Sequence, residues 1–319
     1  MIALKSNFAN RIEDMIAYKK GLGYSEATYR YYLRDFDSFC ADIFPNESEL
    51  TQEVVINWCR KRNSESINSL NRRLATVREL GRYLRSIGIS AYIMPPKMTA
   101  APTRYVPHIF TDRELSSFFY GTDNLGKASD DPMRPYIIPV IFRLLYCCGL
   151  RPGESLKIKN EDINLKSGRL FIGNAKRHKD RVVMLSDDVL KLCVAYDLIR
   201  NRIYGFGEYF FPDKHGLAHN KQWLSYNFRK CWEIAGITDF DKPTPRIYDF
   251  RHTFATRRMH DWMDEDIDLY KMLPYLSSYM GHSDFSCTAY YIHMLPERLR
   301  NSPIIDWKAT ESLLPEVLS

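Results

Sequence analysis

The chain has 319 residues, enough for two domains and a sizeable core. With 45% hydrophobic residues, 26% charged residues and a formal net charge of +6, its composition is that of an ordinary globular protein. Nothing in it argues for disorder, collagen or a disulfide scaffold, while the mild basicity by itself fixes no partner.

The chain opens MIALKSNFANRIED, where charges break up the apolar residues and no signal-peptide core is present. Without an export signal the expected location is the cytoplasm. The seven cysteines are scattered without a Cys-x-x-Cys pair, so neither zinc nor a disulfide framework is expected.

Residues 1–95 read as a helical domain. Its clearest helix is near Ser66 to Arg85, where Ile67, Leu70, Leu74, Val77 and Leu84 recur at helical steps. Arg78, Arg82 and Arg85 lie on an adjacent face, with Arg72 and Arg73 one turn earlier. Such a row fits either a solvated helix face or a surface that tracks a phosphate backbone. Pro95, Pro96, Pro102 and Pro107 then mark 96–108 as an extended linker.

Structure restarts at Thr111-Asp112-Arg113-Glu114, which has the form of a helix capping box. The most apolar stretch, Tyr136 to Leu150, is short and carries Arg143, so it predicts a buried helix and not a membrane span. Leu170 to Ile172 and Val182 to Leu185 read as short strands on either side of the polar stretch Asn174 to Arg181. Helical patterns resume and end in an amphipathic tail around Ala309 to Leu318. The fold class is therefore mainly α with a small antiparallel β-sheet.

Three clusters stand out: CGLRPGE at 148–154, YDFRHTFAT at 248–256, and MGHSDFS at 280–286 followed by TAYYIH at 288–293. Singly, each is an ordinary turn, an amphipathic helix, or a cap and core pair. In this order they resemble the tyrosine recombinase (phage integrase) family across residues 109–300, with the first domain similar in general character to the family's core-binding domain. The family pattern is an arginine box, a hairpin lysine, an H-x-x-R-H box, an L-G-H-S box and a tyrosine two residues before a histidine.

The resemblance implies the following roles. Arg151 and Arg251 clamp the scissile phosphate, and Glu154 supports the first box. Lys176, with Lys179 as fallback, is the hairpin lysine that protonates the leaving 5′-oxygen. His282 is the third-box histidine. Tyr291 is the nucleophile, and Tyr290 points away from it. The arginines Arg72, Arg73, Arg78, Arg82 and Arg85 would contact DNA.

It further implies strand exchange on double-stranded DNA through a 3′-phosphotyrosyl link and a Holliday junction, by four copies of the chain. No metal and no other cofactor is implied. Residues 301–319 are a candidate protomer–protomer contact. His215 and His219 lack a third ligand in register, so a zinc reading there is weak. The other functions weighed are topoisomerase-like DNA relaxation and a DNA-binding protein that has lost cleavage.

Two features depart from the family pattern. Tyr248 stands where a histidine is usual, and a phenol is a poor base at neutral pH. The segment from His260 to Tyr279 is long and acidic, which suggests an inserted or lengthened helix with a solvated face.

Overall fold

The computed structural model describes residues 4–95, 105–126, 131–173, 180–237, 244–282, 288 and 291. The chain divides into two compact units, Met1–Tyr105 and Val106–Ser319.

The first unit contains α1 (Ala9–Gly21), α2 (Glu26–Ile43), α3 (Gln52–Trp58) and α4 (Ile67–Ser86). Thr51 and Ser66 start α3 and α4 by accepting a backbone N–H with their hydroxyls. Of the apolar stripe read along the sequence, Leu70, Leu74, Val77 and Leu84 are buried in one core with Phe36, Val54 and Trp58, Leu80 joins them, and Ile67 is half-buried.

The arginine row on α4 is not one solvated face, and Arg73 is withdrawn from it. Arg73 is 2% exposed, is stacked on the Trp58 ring at 4.6 Å, and binds Glu65 through two hydrogen bonds of 2.8 Å. It also donates to the Trp58 and Arg60 carbonyls, so its donors are spent inside the fold. Arg78 and Arg85 donate to the carbonyls of Met94 and Ala91, and Arg82 pairs with Glu79. Arg72 is exposed.

The second unit begins with α5 (Asp112–Asp123), where the capping box forms as expected: Glu114 N–H donates to Thr111 Oγ1, and Thr111 N–H to Glu114 Oε2. Next come α6 (Arg134–Cys147), the single turn α7 (Pro152–Ser155), and three strands. These are β1 (Ile163–Asn164), β2 (Arg169–Ile172) and β3 (Arg181–Met184), in antiparallel order β1-β2-β3 with Ile172 opposite Arg181. α8 (Asp187–Tyr204), α9 (Lys221–Ile234), α10 (Asp249–Asp264) and α11 (Leu269–Met280) complete the described elements.

The core of this unit is built on α6, whose residues Ile137, Ile138, Val140, Ile141, Phe142, Leu144 and Leu145 are all buried. Phe250 joins α10 to it and stacks on Phe110 at 4.7 Å and 18°. The acidic segment 260–279 is not one lengthened helix. It is the end of α10 and most of α11, separated at Glu265–Asp268, where Asp266 takes φ 53° and Asp268 caps α11. Asp261, Asp264, Glu265 and Asp266 are exposed as expected.

Among the described residues, no helix is long and apolar enough to cross a membrane, and no group of three His, Cys, Asp or Glu could hold a metal. Six cysteines are described and all are free. The hairpin loop with Lys176 and Lys179, residue Tyr290, and the tail 301–319 lie outside the described residues.

Candidate active site

Two chain turns and an aromatic cluster meet at one place. The first follows α6, where Gly149 adopts φ 58° and turns the chain into Arg151 at the start of α7. A side chain at position 149 would sit 2.5 Å from the Phe254 ring, so both conformation and space require glycine. Pro152 suits the first helical position, and Glu154 Oε2 accepts the Arg151 backbone N–H at 2.9 Å.

Glu154 also fixes two guanidiniums. Its Oε1 accepts from Arg151 Nη1 at 2.6 Å, and both oxygens accept from Arg181 at 3.1 and 2.7 Å. Burial works against its charge, but the Arg181 and Arg151 bonds prevail and bring its pKa down to about 2. Arg151 also resists burial, and its bond to Glu154 keeps its pKa raised.

The second turn ends α11. Gly281 takes φ 62°, its N–H donates to the Ser278 carbonyl, and the His282 N–H reaches the Ser277 carbonyl at 3.0 Å. This left-handed cap explains why glycine precedes the histidine. The two family-box arginines hold consecutive carbonyls of this cap: Arg251 donates to Met280 O, and Arg151 to Gly281 O at 2.7 Å. Arg251 also donates to Gly149 O at 2.6 Å, so one guanidinium ties the two turns together.

Arg251 is fully buried, and among the described residues it forms no ion pair. Its Nε has no partner there either. Burial, chiefly, lowers its pKa, with the Arg151 charge adding to the effect. Arg151 and Arg181 share the Glu154 carboxylate while Arg251 has none among the described residues, so the pocket carries surplus positive charge in a poorly solvated place. That arrangement favours an anion with several acceptor oxygens.

The third component is aromatic. Tyr291 is 2% exposed and lies between two imidazoles, with His282 at 6.1 Å between ring centroids and His252 at 5.4 Å. His282 Nδ1 is 2.7 Å from Thr288 Oγ1. Burial, then Arg251, Arg151 and Arg181, lowers the His282 pKa to about 3, so its ring is neutral at pH 7. Tyr248 is 38% exposed at the rim, and its hydroxyl shares a hydrogen bond with Arg151.

The structure therefore gathers Arg151, Glu154, Tyr248, Arg251, His282 and Tyr291, drawn from positions up to 140 residues apart (291 − 151). Two further residues take part. Arg181 shares the inward face of β3 with Val183, and a charge on that face is the signal that period-2 alternation offers. His252 falls one helical turn after Tyr248 on the same side of α10, a spacing that marks it as a neighbour of the rim. Arg72, Arg78, Arg82 and Arg85 belong to the other unit.

This fold and site define a helical enzyme domain in which two basic turns and a tyrosine surround an anion pocket. The model of the phage integrase family matches residues 122–298, more than half of the chain. Tyrosine recombinase XerD of Vibrio cholerae serotype O1 (strain ATCC 39315 / El Tor Inaba N16961) is 27% identical over 305 residues, covering 90% of this chain and 91% of that relative. The fold is shared with XerH site-specific recombinase bound to palindromic difH substrate in a post-cleavage complex. That match has a TM-score of 0.66 and 19% identity, over 89% of this chain and 80% of that one. A lambda integrase tetramer bound to a Holliday junction matches with a TM-score of 0.62 and 14% identity, over 88% of this chain and 76% of that one. The chain belongs to the phage integrase family of tyrosine site-specific recombinases.

Proposed function

We propose that this chain cuts and rejoins double-stranded DNA at specific sites, with Tyr291 as nucleophile and Arg151, Arg251 and His282 around the scissile phosphate. The observation that carries the reading is the buried Arg251, which forms no ion pair among the described residues and stands beside Arg151 and Tyr291. A buried guanidinium surrounded by neutral acceptors is costly unless the working complex brings an anion.

The chemistry follows from the charge. As Tyr291 attacks, negative charge builds on the non-bridging oxygens, and donors already in place stabilise it without reorganisation. Loss of one such donor costs roughly 3 kcal/mol or more of barrier. The leaving 5′-oxygen takes a proton from Lys176, or from Lys179 if the hairpin register differs. The phosphotyrosyl link conserves the ester's energy, so a second 5′-hydroxyl reverses the step. No metal and no other cofactor enters the scheme.

In this reading residues 1–95 form a DNA-binding domain, with Arg72, Arg82 and Arg85 as the exposed α4 arginines; 96–108 link it to a catalytic domain of 109–300. Four copies act together, as in the lambda integrase tetramer bound to a Holliday junction, and the tail 301–319 is assigned to contact between protomers. The action on DNA implies a cytoplasmic location.

The test uses a nicked suicide substrate carrying a site selected from random DNA by the full chain. Wild type is expected to give a covalent protein–DNA band on a denaturing gel that Tyr291→Phe abolishes. Tight binding without any band favours a DNA-binding protein that has lost cleavage. Relaxation of supercoiled DNA without strand exchange favours the topoisomerase reading.

A further inference from the structure

We propose that His252 receives the proton of Tyr291 during strand cleavage, taking over the duty that Tyr248 is chemically unsuited to perform. The inference rests on the recombinase reading above and adds a residue to it.

Three rings stand in a row at the site. The His252 imidazole lies 5.1 Å from the Tyr248 ring and 5.4 Å from the Tyr291 ring, at 57° and 58°. His252 is thus the side chain that bridges the rim position and the nucleophile. Its Nδ1 is buried and has no hydrogen-bond partner among the described residues. The other imidazole beside Tyr291 differs: His282 Nδ1 is already engaged with Thr288 Oγ1. A buried nitrogen left uncommitted, on a ring packed against that of the nucleophile, is a ready acceptor.

The charged and titratable groups facing His252 are Arg251 on its own helix, Tyr248 before it, and Tyr291 and His282 across from it. Burial, then the Arg251 charge, holds its pKa down to about 4, which keeps the ring neutral and able to accept at pH 7. An entering phosphodiester offsets the positive field of Arg251 and Arg151, so the basicity of His252 rises as negative charge builds on phosphorus.

The step balances. The Tyr291 phenolic oxygen forms the new bond to phosphorus while its proton passes to His252. The phosphorus–O5′ bond breaks, its electron pair stays on the 5′-oxygen, and that oxygen takes a proton from Lys176. In religation both protons return by the same routes.

The experiment measures single-turnover adduct formation on the suicide substrate between pH 6 and pH 8 for wild type, His252→Gln, His252→Phe, and Tyr248→His combined with His252→Gln. Wild type should be nearly flat across this range. The single variants should be slower by about 100-fold or more at pH 7, as general-base loss predicts. Their rates should climb about tenfold per pH unit, because a phenol with an ordinary pKa near 10 must then lose its proton to solvent. Partial unfolding lowers the amplitude of each variant without imposing that slope.

Restored rate and flatness in the double variant identifies proton acceptance and not packing. Single variants that keep the wild-type rate and a flat profile overturn the inference while leaving Tyr291 chemistry intact. A flat profile at reduced rate also overturns it, since His252 would then only position the ring. Wild type without any adduct removes the recombinase reading, and this inference with it.

Discussion

Arg181 and Glu154 are joined by two parallel hydrogen bonds, 3.1 and 2.7 Å long, that tie strand β3 to the turn presenting Arg151. The pair is almost wholly enclosed, with 7% and 10% of the two side chains exposed. Glu154 in turn holds Arg151 through both its backbone and its guanidinium. A charge on the sheet therefore sets the aim of Arg151 at the proposed phosphate pocket.

Arg181→Ala should leave Glu154 buried with half of its partners. Breaking such a pair costs about 3–5 kcal/mol, visible as a lower midpoint in urea. The same variant, studied at a temperature where it is folded, should cleave more slowly because Arg151 is less well fixed. Equal stability and equal cleavage would show that the β3 contact is dispensable.

Stability should fall as acid is added, beginning near pH 6.5. His252 and His282 have folded pKa values of about 4 and about 3, below their ordinary 6.5, so the unfolded chain binds protons first. Their stabilising effect is present above pH 6.5 and is lost as pH falls toward 3. Glu154, held at about 2 against an ordinary 4.5, has the same sign: its contribution is present above pH 4.5 and disappears toward pH 2. Urea unfolding at stepwise pH is the measurement, and a stability that rises between pH 6.5 and pH 4 would contradict the assigned burial.

Gly149→Ala should damage both fold and site. The left-handed backbone at φ 58° costs a residue with a side chain about 1–2 kcal/mol. The new methyl, 2.5 Å from Phe254, adds about 1–3 kcal/mol of overpacking. Because Gly149 O accepts from Arg251, cleavage should weaken beyond what lost stability explains. Thermal unfolding beside single-turnover cleavage separates the two effects.

The α4 arginines should divide into two kinds. Arg73→Ala removes a buried ion pair with Glu65 and should destabilise the chain by about 3–5 kcal/mol. Arg72→Ala should leave the melting curve unchanged, weaken DNA binding across sequences and reduce the salt slope by about one. A stable Arg73→Ala protein with selectively weakened DNA binding would reverse this division.

Arg73 also shows what the sequence withheld. A row of arginines at helical spacing is legible as a face, but not which member turns toward Trp58 and Glu65, because that depends on a helix 15 residues earlier (73 − 58). The elements themselves were more accessible. The Thr111 capping box, the α4 stripe and the hairpin carry local patterns, and the structure matches them within a residue or so, apart from the two-residue β1.

The site was legible through its boxes, since Gly149 and Gly281 flag the turns that bring Arg151 and His282 into place. Arg181 and His252 were less legible, because each matters through a cross-chain neighbour, Glu154 and Tyr291 respectively. The acidic segment misled for a similar reason. Asp268 is an exposed charge in composition and a helix cap in structure.

The most direct measurement is peptide mass spectrometry of the trapped protein–DNA adduct after nuclease and protease digestion. The account predicts a nucleotide remnant esterified to Tyr291. A remnant on Tyr290, or on any residue other than Tyr291, would contradict the assignment of the nucleophile and the site built around it.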